Sequence, residues 1–526
     1  MRRLFLVEIC WSFGVMIVCS FVLHLCNILW LNHRRLRRKL SEQGITGPPP
    51  RLFHGNIAEM RSIATRCEPE PLPRGRVSHD WAHSIFPYLH HWALRYGSLY
   101  MYSTRQKLNL YMNRPDLVKF LNLHKPLDLD KPSTIVKTPN PLFGKGIMRV
   151  TGQNWTSQRK LIAPQFFLDK VKGMMDLMVD SAMTMIEKWE SMILQSNGTV
   201  ADMYITEDLN SLSANVIARA CFGSSYSEGK QIFAKLRTLQ HALAKPDRLF
   251  GFHNLRFLPS KANRNLWRIG EEVDLLILKM VRARQEENRK ALKPEKDLLQ
   301  MILESADVDG AMNEKACDSF VVDSCKNIYF AGHETTATTI SWSLMLLAVH
   351  PEWQDRIRAE ILEFCGVRLC HRGSLDFDTL RKLKVLTMVI HETLRLYCPG
   401  IILVKETMTD IKLGEINVPK GVILWTSIPA LHRDPENWGP DANEFKPERF
   451  KNGVSEACKH PQAYVPFGYG SRLCLGQTFA MMEMKIVLAL VLSRFSFALS
   501  PEYRHSPVFR MVLVPEHGMR LVVRKI

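Results

Sequence analysis

Phe467-Gly468-Tyr469-Gly470-Ser471-Arg472-Leu473-Cys474-Leu475-Gly476 stands just before a helical run from Thr478 to Leu492. Glycine-rich turns let a backbone approach something large and flat, and let amide N–H groups point at a sulfur. Cys474 falls near the amino-terminus of the coming helix, where the dipole and the amides favour an anionic thiolate. By residue type alone it would be an inert core thiol, one of 12 cysteines. The pattern Phe-x-x-Gly-x-Arg-x-Cys-x-Gly sets it apart from the rest.

Three further stretches have residues of the right types for chemistry. Ala331-Gly332-His333-Glu334-Thr335-Thr336 lies inside the apolar run Phe320 to His350. Gly332 opens space beside the helix, and the adjacent acid and hydroxyl, Glu334 and Thr335, could relay protons. The plainer alternative is a helix bent by threonines that bond back to their own carbonyls. Glu392-Thr393-Leu394-Arg395 puts an acid and a base three apart on one helix face, among Leu386, Val389, Ile390 and Leu396, which suggests burial. Pro447-Glu448-Arg449-Phe450 supplies a second arginine. Trp155 and Arg159, four apart, share a face of an amphipathic helix, with Lys160 beside them.

Taken together, these motifs resemble a cytochrome P-450, a haem-thiolate monooxygenase. The resemblance implies that Cys474 is the axial iron ligand of a haem b, pushing electron density toward O–O cleavage. Phe467, Arg472 and Gly476 would line the cofactor, with Trp155 and Arg159 facing a propionate, for which a guanidinium is well suited. Glu334 and Thr335 would be the acid–alcohol pair of oxygen activation. Glu392, Arg395 and Arg449 would form the buried ion-pair triad, a structural role. Electrons would come from NADPH through a separate reductase, and Lys160 could belong to the basic surface that meets it. No flavin or nicotinamide fingerprint is visible, since Gly468-x-Gly470 lacks a third glycine and the strand–helix context. Tyr397-Cys398-Pro399 departs from the family's Tyr-Pro-Pro, and Lys405 stands where an arginine is expected; a lysine cannot grip a carboxylate bidentately.

Gly47-Pro48-Pro49-Pro50, Phe166 to Met174 and Asn327 to Gly332 are similar to the plant gibberellin-oxidising branch. That implies a tetracyclic diterpenoid substrate, hydroxylated or epoxidised; related branches act on brassinosteroids and cytokinins. The pocket walls would come from Pro141 to Met148, Ile401 to Val404 and the helix face around Ala331.

The full chain has 526 residues, 70 Lys and Arg against 52 Asp and Glu, a net charge of +18, and 46% hydrophobic residues. That composition excludes disorder, collagen and disulfide miniproteins. Ile9 to Leu31 is 23 residues without Asp, Glu, Lys or Arg, long enough to span a bilayer and too long for a signal-peptide core. Arg34, Arg35, Arg37, Arg38 and Lys39 follow it while Arg2 and Arg3 precede it, which puts the body in the cytosol. The core run around Thr335 is a weaker span candidate: Thr335 to Val349 is only fifteen uncharged residues, and Glu334 would be costly in lipid.

The expected organisation is an anchor over 1–33, a basic and proline-rich linker over 34–50 and a haem-binding domain over 51–526. The fold class is mainly α with small β-sheets, a cytochrome P-450 fold behind an amino-terminal transmembrane helix. Helices are expected over Phe166 to Leu194 and Val273 to Lys290, and from Asp297 after a turn at Lys293 to Lys296. Strands are expected at Ser98 to Ser103, Leu108 to Met112, a pair around Ile411 to Leu424 turning at Pro419-Lys420-Gly421, and a terminal hairpin over Ser506 to Arg524. The reading is a single-pass endoplasmic-reticulum monooxygenase whose partners are lipid, a reductase, O2 and a hydrophobic small molecule, with no nucleic acid. Rivals are a rearranging or dehydrating haem enzyme and a non-enzymatic haem-binding membrane protein.

Overall fold

The computed structural model describes residues 11, 14–21, 31–52, 54–67, 72–105, 107–121, 123–125, 127–196, 198–223, 226–244, 258–290, 297–307, 314–366 and 375–526. Most of the apolar run 9–31 and the expected turn at 293–296 lie outside them. Trp11 and residues 14–21 are helical and exposed. Among the described residues no helix is long and apolar enough to cross a membrane. The architecture is mostly helical with small sheets, and the chain gathers into two compact units.

The first unit comprises Met1–Pro69, Ala82–Pro132 and Ile402–Ser427. The basic residues after the apolar run form helix α1 (Asn32–Ser41), and the proline-rich segment that follows is built into the unit. Arg37 donates to the carbonyls of Gly47 and Pro48 at 3.0 and 2.9 Å. A Cβ on Gly47 would stand 1.9 Å from the Met101 carbonyl oxygen, so only glycine allows that approach. Five strands form one sheet in the order β1 (Leu99–Thr104), β2 (Lys107–Met112), β8 (Ile423–Ser427), β5 (Ile402–Thr407), β3 (Leu129–Asp130). β1 and β2 form a hairpin pairing Leu99 with Met112 and Thr104 with Lys107, while β2 runs parallel to β8. The expected turn is present at Lys420-Gly421, where it leads on to β8, but the strands it joins do not pair: β7 (Ile416–Val418) pairs with β6 (Ile411–Leu413) through a second, tight turn at Gly414, φ +58°, and β8 leaves for the larger sheet. Lys405 sits on β5 opposite Leu424.

The second unit holds Glu70–Trp81, Ser133–Ile401 and Ile428–Ile526. Its helices used below are α2 (Gly152–Ile162), α3 (Met175–Ser196), α4 (Thr206–Phe222), α5 (Tyr226–Leu243), α6 (Lys261–Lys290), α7 (Leu298–Asp307), α8 (Glu314–Val349), α9 (Pro351–Cys365), α10 (Lys384–Leu396) and α11 (Gln477–Leu492). α8 is the axis. Its 36 residues are buried almost throughout from Val321 to Leu347, as befits a helix apolar all round. α4 packs closely on it because a Cβ on Gly332 would fall 2.5 Å from the Ile217 side chain. The room that Gly332 leaves is therefore filled by a neighbouring helix, which corrects the expectation of open space there.

The single helix expected over Phe166 to Leu194 is broken. A 3-10 turn over Ala163–Phe166, opened by Pro164, is followed by extended Phe167, a short helix Leu168–Lys172 and then α3. The Val273 helix is longer than expected, starting at Lys261. The terminal hairpin also differs: β10 (Pro507–Phe509) pairs with β11 (Leu513–Pro515), whereas β12 (Arg520–Lys525) lies between β4 (Val200–Tyr204) and β9 (Phe495–Leu499). Leu521 and Val523 are buried at alternate positions of β12, so a central place in that sheet covers both. The start of α10 has no capping side chain of its own; Glu360 on α9 accepts the Val385 and Leu386 N–H groups at 2.7 and 3.0 Å.

Candidate active site

The cysteine loop follows from its glycines. Gly468 and Gly470 take φ of +75° and +69°, in the left-handed region that favours glycine. The loop closes on itself, with the Cys474 N–H donating to the Phe467 carbonyl at 3.0 Å. Gly476 is the N-cap of α11, so Cys474 lies just before the helix start. The Cys474 side chain is exposed, unlike Cys221, Cys325 and Cys398, which are buried. Even so, desolvation by the surrounding protein raises its pKa, while the Gly476 N–H and Arg159 act to lower it.

Trp155, Arg159 and Arg472 come together beside this loop. The Arg472 guanidinium lies 4.4 Å from the Trp155 ring centroid and that of Arg159 5.5 Å from it. Arg159 Nη1 donates to the Leu473 carbonyl at 3.0 Å, and Arg472 Nη2 to that of Val150 at 2.7 Å. Lys160 is exposed on the same helix.

On α8, Ala331 is exposed although Phe330, His333 and Glu334 are buried. Thr335, one turn on, is half-buried on the same face. The threonines bond back to their own helix: Thr335 Oγ1 donates to the Ala331 carbonyl at 2.7 Å, and Thr339 Oγ1 to that of Thr335 at 2.8 Å. Burial pushes the Glu334 carboxyl up to about 7, against the opposing pull of a hydrogen bond to Gln240 and the charge of Arg237. The neighbouring His333 is buried, bonded to the Tyr329 carbonyl through Nδ1 at 2.7 Å, and lowered to about 4 by desolvation.

Glu392 and Arg395 form a fork on α10, with Nε to Oε2 and Nη2 to Oε1 both at 2.7 Å. Arg395 also donates to the carbonyls of His432, Ala442 and Glu444. Arg449 stands 3.6 Å from Glu392 and donates to the Trp438 and Asp441 carbonyls. The three side chains are thus one cluster that pins the 432–449 segment to α10.

Sequence reasoning missed the residues that hold the expected pocket wall. Asn327 accepts the Met148 N–H at 2.9 Å and donates to the Phe143 carbonyl at 2.9 Å. Asp323 accepts the Lys145 N–H, and buried Lys326 donates to the Pro141 carbonyl while pairing with Asp323 and Asp274. Gly144 and Gly146 make this possible, since a Cβ on either would collide with Asp323 or Asn327. Arg149, also buried, ties together the carbonyls of Ile135, Val136, Thr138 and Gly144. The glycines at 144 and 146 were the available signal. Of the other expected walls, Ile401 is buried in this unit, while Ile402 to Val404 lie on β5 of the first unit.

These residues fit a haem. Cys474 offers an exposed sulfur, a Cβ on Gly476 would meet nothing within 4 Å, and Ala331 opens a gap in an otherwise buried helix face. Trp155, Arg159 and Arg472 provide an indole and two cations for carboxylates.

A sequence model of the family described as Cytochrome P450 matches residues 76–523, a stretch that runs through both units. The chain is 46% identical to Cytochrome P450 714A2 of Arabidopsis thaliana over 519 residues, 97% of each chain. It is 46% identical to Cytochrome P450 714C2 of Oryza sativa subsp. japonica over 503 residues, 95% of each. With Cytochrome P450 714B3 of Zea mays the identity is 43% over 516 residues, 97% of this chain and 94% of the relative.

Proposed function

The chain belongs to the cytochrome P450 family and is a monooxygenase, and we propose that its substrate is a gibberellin or related ent-kaurane diterpenoid, hydroxylated or epoxidised at a membrane. The observation that carries the reading of the site is the exposed Cys474 thiol, set in its glycine loop beside Arg159. The substrate class rests on the branch-like segments at 47–50, 166–174 and 327–332, and on near full-length similarity to cytochromes P450 of the 714 group. The proposed anchor rests on the apolar run 9–31, and the basic residues after it support a cytosolic orientation for the body, residues 51–526, which we read as one catalytic domain at the endoplasmic reticulum. NADPH would deliver electrons through a separate reductase.

When bound, haem supplies the activation of O2 and the insertion of one of its atoms into the substrate. The chain's part is placement and proton supply. Cys474 would hold the haem iron through its sulfur, with its own N–H on the Phe467 carbonyl and the Gly476 N–H at the thiol keeping the loop in place. Trp155, Arg159 and Arg472 would hold the propionates. Glu334, with its carboxyl lifted to about 7, can keep a proton at neutral pH and pass it on through the Thr335 hydroxyl. The 141–148 segment, fastened by Asp323, Lys326 and Asn327, would wall the substrate.

Microsomes carrying this protein and a reductase, given NADPH and separate gibberellins, brassinosteroids and cytokinins, are expected to add 16 mass units to a gibberellin. Oxidation of a steroid or cytokinin alone would overturn the substrate class, and NADPH-independent turnover would overturn the monooxygenase mechanism for that substrate. Cys474→Ala is expected to abolish the thiolate-type absorption of the reduced carbon monoxide complex; survival of that band would overturn the ligand assignment.

A further inference from the structure

The cysteine loop is not seated by its glycines alone. Its approach, Tyr464-Val465-Pro466, is tied at three successive residues, and each tie leads back to α10 or its end. The Tyr464 hydroxyl donates to the His391 carbonyl, on α10, at 3.0 Å. The Val465 N–H donates to His432 Nε2 at 2.9 Å. The Pro466 carbonyl accepts the Cys398 thiol at 3.4 Å, and Cys398 stands just past Leu396, the last residue of α10. Beyond these the loop continues by its own bonds. The Gly468 N–H donates to the Val465 carbonyl and the Cys474 N–H to that of Phe467, both at 3.0 Å. A shift at Val465 is therefore felt at Cys474.

His432 is the middle tie. It is fully buried and stacked on the Tyr464 ring, with centroids 5.3 Å apart. Its Nδ1 lies 3.2 Å from the Arg395 carbonyl, which only accepts, so this nitrogen donates. Its Nε2 faces an N–H, which only donates, so that nitrogen accepts. Both partners are satisfied by one form, the neutral imidazole with its proton on Nδ1. Burial agrees, lowering the pKa to about 3, with the bond to Arg395 opposing and the charges of Arg395 and Arg433 adding to the fall. Arg395 in turn donates through Nη1 to the His432 carbonyl at 2.9 Å. One residue of α10 thus grips position 432 at both backbone and ring, and the far nitrogen is left for the loop.

We propose that His432 is a positioning residue for Cys474, carrying the register of α10 through Val465 into the loop and so fixing where the sulfur stands. The inference rests on the reading of Cys474 as the iron ligand. It extends the reach of the buried fork, because the arginine that closes on Glu392 also orients the ring that seats the loop.

The test uses the full-length, haem-loaded protein with His432→Asn and His432→Gln, two neutral amides of different reach. Asparagine puts a donor near the place of Nδ1 and keeps the Arg395 bond, but is too short for Val465. Glutamine puts an acceptor near the place of Nε2 and keeps the Val465 bond. His432→Asn is expected to lower the ratio of thiolate-type to other absorption in the reduced carbon monoxide complex by about tenfold, the worth of one buried N–H left without its acceptor. Amide exchange over 464–468 should speed up by about the same factor, while the middle of α11 keeps the parent's rate. His432→Gln should stay within about twofold of the parent in both readouts. Loss of haem from His432→Asn with haem kept by His432→Gln upholds the proposal, since only the bond to the loop separates them. A ring that merely fills the core would make the two amides alike. Equal spectra and equal loop exchange in both variants, or haem lost from both, therefore overturns the proposal. Cys474→Ala separates the two readings: should it keep the thiolate-type band, the ligand assignment fails first, and exchange over 464–468 still decides whether His432 seats the loop.

Discussion

Two buried acids on neighbouring helices of the second unit are treated in opposite ways. Glu392 on α10 is fully buried and met by the fork of Arg395, by the Lys446 N–H at 2.8 Å and by Arg449 beyond. Glu334 on α8 is also buried, yet it has one carboxamide, a distant guanidinium and an oxygen with no hydrogen bond. A carboxyl whose two oxygens are both taken by a guanidinium fork and an N–H is committed to holding structure together. A carboxyl denied them keeps its proton near neutrality and is free to give it away. The contrast separates scaffold from chemistry using partners alone.

Breaking the locked region should have the largest effect. Arg395→Leu leaves Glu392 as a buried charge facing only Arg449 and an N–H, and it strips donors from the His432, Ala442 and Glu444 carbonyls. Removing one partner of a buried pair costs about 3–5 kcal/mol, so this variant is expected to yield no folded haem protein. A variant that accumulated with a normal reduced carbon monoxide spectrum would show that the fork holds nothing essential.

Thr335→Ala probes the unlocked region with a milder expected effect. The hydroxyl donates to the Ala331 carbonyl, so its loss removes a helix-bending bond and, on the proposed route, the hydroxyl that would carry the proton. Haem content should be unchanged while peroxide released per NADPH rises, by roughly fivefold if proton delivery slows by about 1 kcal/mol. Equal coupling in parent and variant would place the proton route elsewhere. A change in haem content would mean that Thr335 is scaffold after all.

How much of this was legible in the sequence depends on distance along the chain. Cys474 and its glycines sit in one contiguous stretch, and the Glu392–Arg395 pair lies within one helical turn, so local pattern was enough for both. His432 could not be found that way. A histidine followed by Arg433, Asp434 and Pro435 reads as a solvated turn, and only the fold sets its ring against an N–H 33 residues later. The asparagine and glycines that hold the 141–148 segment are a case between. Gly144 and Gly146 could be seen as constrained positions, but the side chains that constrain them, Asp323 and Asn327, come from α8. Strand endings fared worst. The turn at Pro419-Lys420-Gly421 was readable but the one at Gly414 beside it was not, so the pairing was given to the wrong strands, and β12 was given to a hairpin because its partners β4 and β9 are remote in sequence.

A third acid tests whether an absence of partners, and not a place near the site, is what lifts a carboxyl. Glu483 on α11 is fully buried; its Oε1 accepts the Ser213 hydroxyl at 2.6 Å and its Oε2 has no hydrogen bond. Desolvation pushes it up to about 8, with only Ser213 opposing. The folded protein therefore keeps this proton between about pH 4.5, where an unfolded glutamate loses it, and about pH 8. Across that window the native state binds more protons than the unfolded state, so stability from this group is full below the window and declines as pH rises through it. Glu483→Gln is neutral at every pH and can keep a bond to Ser213, which removes the decline. Its thermal midpoint should be close to the parent's at pH 5 and exceed it at pH 8.5 by the equivalent of roughly 1–3 kcal/mol. Each tenfold gain in proton affinity on folding is worth about 1.4 kcal/mol, and relaxation of the site around the ionised acid recovers part of it. Parent and variant falling in parallel from pH 5 to 8.5 would mean that Glu483 finds a partner on ionising. The same rescue would then have to be considered for Glu334, because the two acids share one feature, an oxygen that nothing bonds.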